Sequence, residues 1–241
     1  MTVQIVEFIE RSVQGMTEPF ICRGNDGEIY FVKGIGATRK SQVFEWIAGN
    51  LGLELGLPIA PFEIVDVPEE LIEGSAELIQ LGRGLAFGSR KQVITELNFA
   101  GISEVPLELQ RDVLAFDWWI RNGDRNLSEL GGNPNLFWDT TVKKLVVIDH
   151  NQAFDPEFDR ENFHKLHVFS SIQQSLFADF DRMQKYSENF SRALGSWERI
   201  CNGIPIEWYY ADKEMTVSAD IDINELLEIL QKCNKDEFWK Q

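Results

Sequence analysis

Six residues arrange polar chemistry in a definite order along the chain: Lys33, Glu45, Asp124, Asn133, Asn135 and Asp149. Lys33 closes the β-rich run IYFVK, and a side chain at a strand end can project past the sheet toward phosphate oxygens. Glu45 follows twelve residues later on an amphipathic run and offers a carboxylate to pair with that ammonium. Asp124 lies in the polar loop RNGDRN, where a carboxylate can meet substrate while a rigid scaffold holds it. NLFW and KLVVID flank Asp139-Thr140-Thr141 as hairpin arms, so antiparallel pairing brings Asn135 and Asp149 together. An amide oxygen and a carboxylate are hard ligands suited to Mg²⁺, which takes its remaining oxygens from water and phosphate. The set matches the needs of phosphoryl transfer from ATP: a cation on the phosphates, a carboxylate at the acceptor hydroxyl, and oxygen ligands for magnesium.

Taken singly, each residue has a plainer reading. Lys33 is then a solvated strand-end charge and Glu45 a surface helix residue. Asp124-Arg125 is a loop ion pair, worth about 0 to 1 kcal/mol when exposed. Asn133-Pro134-Asn135 is turn chemistry. The order strand-Lys, helix-Glu, loop-Asp, Asn-hairpin-Asp is what favours a nucleotide site. His150, next to Asp149, fits either stacking near the metal site or an ordinary polar contact. His164 and His167 are spaced for a metal pair on a helix, but no third ligand follows by spacing, so no zinc is expected. The pair Trp118-Trp119 reads as packing between helices.

The elements that must position these groups fall into two halves. PFICRGNDGEIYFVKG predicts a hairpin, with runs Phe20 to Arg23 and Glu28 to Lys33 around an Asp-Gly turn. RKSQVFEWIAGNLGLEL predicts a helix with Ser41 as its cap, stopped by Gly56-Leu57-Pro58, and IAPFEIVDV a third strand ending at Pro68. Glu69 to Val105, including GRGLAFGSR, reads as weakly patterned and largely connecting chain. VPLELQRDVLAFDWWIRN predicts a helix that delivers the chain to Asn122. After Phe154 the pattern is helical through HVFSSIQQSLFADFDRMQKY, SENFSRALGSWERIC and DINELLEILQKC, the last with capping-box spacing at Asp222 and Glu225.

Composition narrows the function classes. The 241 residues, 44% of them hydrophobic, with seven Trp and seventeen Phe, are enough for one large domain or two modest lobes. A net charge of −16 argues against nonspecific binding to nucleic acid or anionic membrane. Three scattered cysteines suggest neither a disulfide framework nor a zinc site and fit a reducing cytoplasm. The first residues lack the pattern of a signal peptide, and no apolar run is long enough to predict a membrane span.

FDWWIRNGDRN, GGNPNLFW and VVIDHNQAF resemble the catalytic and metal segments of HipA-like kinases. With FVK, Glu45 and LGLPIAPFEIV, the ordered set is similar to a small, kinase-only branch of that group, from about Phe20 to Phe154, with weaker similarity at HVF and IPIEW. The resemblance implies an α+β, bilobal protein-kinase-like fold across residues 1–241. It divides into an N-lobe to about residue 80 with a small antiparallel sheet and helix, a connector to about residue 105, and a larger, mainly helical C-lobe. It also implies roles: Lys33 to the ATP phosphates, Glu45 to Lys33, Asp124 to catalysis, and Asp149 to magnesium. In the kinase pattern H-R-D-L-x-x-x-N the metal asparagine follows the aspartate closely, whereas Asn133 and Asn135 lie nine and eleven residues beyond Asp124. The intervening LSELGG reads as a loop insertion, Asn126 lies too close to Asp124, and Asn135 is preferred to Asn133 because the apolar strand starts directly after it. GxGxxG, the DFG glycine and an APE-like segment are absent, and GIGATRKS lacks P-loop spacing.

The expectation is an ATP- and Mg²⁺-dependent phosphotransferase, a HipA-like serine/threonine protein kinase with a protein substrate or regulatory partner. Two alternatives stay open: a lipid or small-molecule kinase, since GDRN and VIDHNQAF also resemble phosphatidylinositol kinases, and a nucleotide-binding pseudokinase that regulates a partner.

Overall fold

The computed structural model describes residues 2–12, 18–212, 214–235 and 237–240. It is sheet-rich in its N-terminal part and helical in its C-terminal part, and it divides into two compact units. The first takes Met1–Trp46, Ala60–Val93 and Gly203–Ile221; the second takes Ile47–Ile59, Ile94–Asn202 and Asp222–Gln241.

In the first unit β1 (Val3–Arg11), β2 (Phe20–Gly24), β3 (Ile29–Lys33), β4 (Phe62–Val67) and β5 (Gly84–Arg90) close into a barrel in the order β1-β2-β3-β5-β4. Every pairing is antiparallel except β1 with β4. Ile5, Cys22, Tyr30, Val32 and Val65 fill its interior. The β2–β3 hairpin turns at Asn25-Asp26-Gly27 as its sequence predicts, with Gly27 at φ 87° supplying the left-handed backbone.

Two strands depart from expectation. Gly84–Arg90, read as connecting chain, is the strand between β3 and β4. Its glycine content hides it, and the barrel explains Gly88, where a Cβ would come within 2.7 Å of the Val65 side chain. β1 carries no regular strand pattern in its sequence, because register shifts at Ile5/Glu7 and Phe8/Glu10 break the alternation that would announce it.

Helix α1 (Arg39–Glu54) buries Val43, Ile47, Ala48 and Leu51. Its cap is Thr38, whose Oγ1 accepts the Ser41 N–H at 3.2 Å, and not Ser41 as expected. Gly56, at φ 76°, ends it. A short α2 (Glu69–Ile72) follows β4. The segment Gly203–Ile221 packs within this unit: Trp208 Nε1 donates to the Leu85 carbonyl, and Glu207 Oε1 accepts the Leu85 N–H, each at 2.8 Å.

The second unit is built on α3 (Leu107–Trp119), which buries Val113, Leu114, Phe116, Trp118 and Trp119. Trp119 stacks on Phe190 at 4.4 Å between centroids, and Trp118 meets Phe163 and Phe177, so both pack between helices. Two hairpins follow, β6 (Asn126–Ser128) with β7 (Gly131–Asn133), and β8 (Leu136–Asp139) with β9 (Lys144–Val147). The inserted LSELGG is thus mostly a β-hairpin and not an irregular loop.

The remaining helices are α4 (Arg160–Leu166), α5 (Gln174–Phe177), α6 (Phe180–Ala193), α7 (Trp197–Asn202) and α8 (Ile223–Gln231). The mostly helical reading of HVFSSIQQSLFADFDRMQKY resolves into a short turn at Ser170–Ile172, then α5 and α6, the last capped by Asp179, whose side chain accepts the Arg182 N–H. Asp222 caps α8 as expected, accepting from Asn224 and Glu225. Among the described residues no helix is long and apolar enough to cross a membrane.

Candidate active site

In the first unit Lys33 ends β3, opposite Phe87 of β5. Its backbone carbonyl accepts from the Gln42 amide at 2.6 Å, which ties the strand end to α1. Its ammonium pairs with Glu45 of the same helix. Lys33 is 6% and Glu45 2% exposed, so the plain reading of both as solvated surface charges does not hold. Burying either charge alone would be strongly unfavourable, and the pair offsets that cost. Gly34 follows directly, and a Cβ there would meet the Leu81 carbonyl oxygen at 2.0 Å. The first glycine of GIGATRK therefore serves a close backbone approach.

In the second unit the loop after α3 is organised around a buried ion pair that the sequence reading missed. Asp117 and Arg125 have fully buried side chains, and Arg125 Nε donates to Asp117 Oδ2 at 2.7 Å. Arg125 Nη1 donates to the carbonyls of Pro134, Asn135 and Ile148 at 3.2, 2.7 and 3.2 Å. Asn122 Nδ2 donates to Asp117 Oδ1 at 2.9 Å. His167 completes the set: its Nδ1 accepts the Phe169 N–H at 3.1 Å, so the neutral ring carries its proton on Nε2 and donates to Asp117 Oδ2 at 3.0 Å.

Burial by itself would raise the Asp117 pKa, but Arg125 and His167 outweigh it and hold the carboxyl well below its ordinary range. For His167 burial wins, and its pKa falls despite Asp117. Arg125 thus belongs to a buried network with Asp117, in place of the exposed Asp124-Arg125 pair of the plain reading. The clue in the sequence is Asp117 itself, a charge inside the apolar run FDWW.

This network positions the candidate groups. Asp124 Oδ2 accepts from Asn133 Nδ2 and from Asn135 Nδ2, each at 3.0 Å. Asn133 arrives at the end of β7, paired with Asn126 across the hairpin. Asn135 precedes β8; its carbonyl accepts the Ile148 N–H at 3.1 Å, which sets Asn135 and Asp149 at the open end of the β8–β9 ladder. Arg121, Asn135, Asp149 and Phe154 all have left-handed backbone, at φ 52, 47, 56 and 60°. Such conformations persist only where the surroundings enforce them, and they cluster at working sites.

Asn135 and Asp149 suit a Mg²⁺ ion by donor chemistry. An amide that donates through Nδ2 to Asp124 presents its oxygen as an acceptor, and Asp149 adds a carboxylate. Among the described residues no group of three or more His, Cys, Asp or Glu side chains is placed to hold a metal. A two-ligand site accords with an ion that takes its other oxygens from water and phosphate. His150 packs edge-on to Phe116 at 5.8 Å. His164 lies against Trp118 at 5.1 Å, while both nitrogens of His167 are engaged in the Asp117 network.

A family model for HipA-like kinases matches residues 5–241. Among solved structures, that of a Helicobacter pylori proinflammatory kinase, CtkA, aligns over 98% of this chain and 95% of that chain, at 11% identity and a TM-score of 0.49. No curated protein matches.

Proposed function

The chain belongs to the HipA-like kinase family, and from that premise we propose that it is an ATP- and Mg²⁺-dependent phosphotransferase of protein-kinase-like bilobal fold, with a serine or threonine hydroxyl of a protein as acceptor. The observation that carries this reading is the Asp124 carboxylate, held through Oδ2 by two asparagine amides. A carboxylate fixed in this way can orient an acceptor hydroxyl and take its proton as the new P–O bond forms.

Asn135 and Asp149 would hold Mg²⁺, which when bound neutralises charge on the phosphates. Lys33 contributes a second cation to the phosphates, and Glu45 fixes the direction of its ammonium. Asn133 steadies Asp124 from the neighbouring hairpin. The buried Asp117–Arg125–His167 network keeps the loop and the β8–β9 base in register.

The test is transfer of labelled phosphate from ATP to protein in a cell lysate, beside a separate measurement of ATP binding. Asp124→Ala is expected to lower transfer by about 10²- to 10⁴-fold while ATP binding persists. Wild-type transfer in that variant would remove Asp124 from its role. ATP binding by the wild type without transfer to any protein, lipid or small hydroxyl compound would favour the pseudokinase reading.

A further inference from the structure

A cavity of about 150 Å³ in the second unit is bounded by Trp118, Phe158 and Phe238 and rimmed by Arg121, Arg160 and Lys232. A void of this size lined only by hydrocarbon stays dry and accepts one ring-sized apolar guest. Here three cationic residues are part of the lining, in a chain of net charge −16.

Among the described residues none of these cations is matched by an ion pair. Arg160 lies over the Trp118 ring at 5.1 Å, and its Nη1 donates to the Lys240 carbonyl at 2.8 Å. Burial, and then the like charge of Arg160, push the Arg121 pKa down, with Asp155 opposing them. The Asp155 carboxylate accepts the Glu157 N–H at 2.8 Å, so it also serves its own turn. Cations set against one another beside a partly enclosed space repel, and an anion lodged among them would relieve that repulsion. The Trp118 indole N–H is committed to the Phe238 carbonyl at 3.2 Å, which leaves polar recognition at the rim to the cations.

We propose that Arg121, Arg160 and Lys232 form a second anion site that takes a phosphate monoester, with its organic group against Phe158 and Phe238. Two planar guanidiniums and one compact ammonium suit a dianion with three acceptor oxygens better than a carboxylate with two. Arg121 adjoins Asn122, whose side chain bonds Asp117, so an occupant would touch the loop that carries Asp124. A small phosphate ester and a phosphorylated side chain present the same chemistry to this site.

The experiment is calorimetric titration of the full chain, free of ATP and Mg²⁺, with phenyl phosphate, with a phosphoserine peptide, and with the same peptide unphosphorylated. Saturable binding is expected to weaken about tenfold in Arg160→Gln and about a hundredfold in Arg160→Gln/Lys232→Gln, while Lys91→Gln, an exposed cation of the first unit, leaves it unchanged. Lys232→Glu, at a half-buried position, gives a second reading that leaves the aromatic wall intact and is expected to abolish saturable binding. Tighter binding of the phosphopeptide than of phenyl phosphate assigns the site to a phosphorylated protein, and the reverse order to a small ester. Absence of saturation by both phenyl phosphate and the phosphopeptide, saturable binding of the unphosphorylated peptide equal to that of the phosphopeptide, or undiminished affinity in the double variant would overturn the proposal.

Discussion

Arg125 touches Asp117 near the end of α3, the Pro134-Asn135 backbone at the entry to β8 and the Ile148 carbonyl beyond β9, so one guanidinium holds three segments of the site. Replacing it with Met leaves the Asp117 charge buried with its main partner removed. The expected loss is about 3 to 5 kcal/mol in urea unfolding. Adding Asp117→Leu to Arg125→Met should recover part of that loss, because two well-packed apolar groups cost less than one stranded charge; a double variant as unstable as the sum of the singles would refute the argument. The same reasoning applies to Lys33 and Glu45, both buried and paired. Lys33→Met is expected to raise the KM for ATP and to destabilise the chain, and Lys33→Met/Glu45→Met to restore stability without restoring KM. These pairs were only half legible: the sequence marks where charges interrupt apolar runs, but not which opposite charge meets them.

At the scale of elements, the two hairpins bring both asparagines to the Asp124 carboxylate, a convergence that spacing alone does not show. LSELGG lengthens the interval after Asp124, yet β6 and β7 fold it back so that Asn133 returns to the carboxylate. Asn135 reaches the same carboxylate from the base of a different ladder, beside Asp149. Asn135→Ala should therefore raise the Mg²⁺ concentration needed for half-maximal transfer by tenfold or more, about 1.4 kcal/mol or greater. Asn133→Ala should lower kcat with the Mg²⁺ requirement unchanged; the opposite pattern would exchange their roles. Asp222→Ala, which removes the cap of α8, should cost about 1 kcal/mol in thermal or urea unfolding. That cap was legible because it depends on neighbours in sequence. β5 was not, because its glycines make sense only against Val65 on another strand.

For the whole molecule, pH bears on stability through groups in each unit. In the second unit burial would raise the Asp117 pKa, but Arg125 and His167 hold it well below the ordinary carboxylate value of 3.8. Its contribution is present above that value and is lost as pH falls through the folded value. In the first unit burial pushes the Cys22 thiol from 9.0 up to about 12. Its contribution is complete below pH 9.0 and fades as pH rises toward 12, because the unfolded chain ionises first. Urea unfolding followed across pH should decline at both ends, and Cys22→Ala should flatten the alkaline limb; an unchanged alkaline slope in that variant would count against Cys22 as its source.

What the sequence alone determined is local: the β2–β3 hairpin from Asp-Gly, the span of α1 and α3 from apolar spacing, the cap of α8, and the order of Lys33, Glu45, Asp124, Asn133, Asn135 and Asp149 that pointed to a kinase. Each of these depends on residues a few positions apart or on order along the chain. The tertiary structure decided that GLAFGSR is a barrel strand, that Asn133 and Asn135 share one oxygen of Asp124, and that Asp117, Arg125 and His167 form one buried network. The Asp117–His167 contact joins residues 50 positions apart, and buried charge can persist only where such distant partners satisfy it.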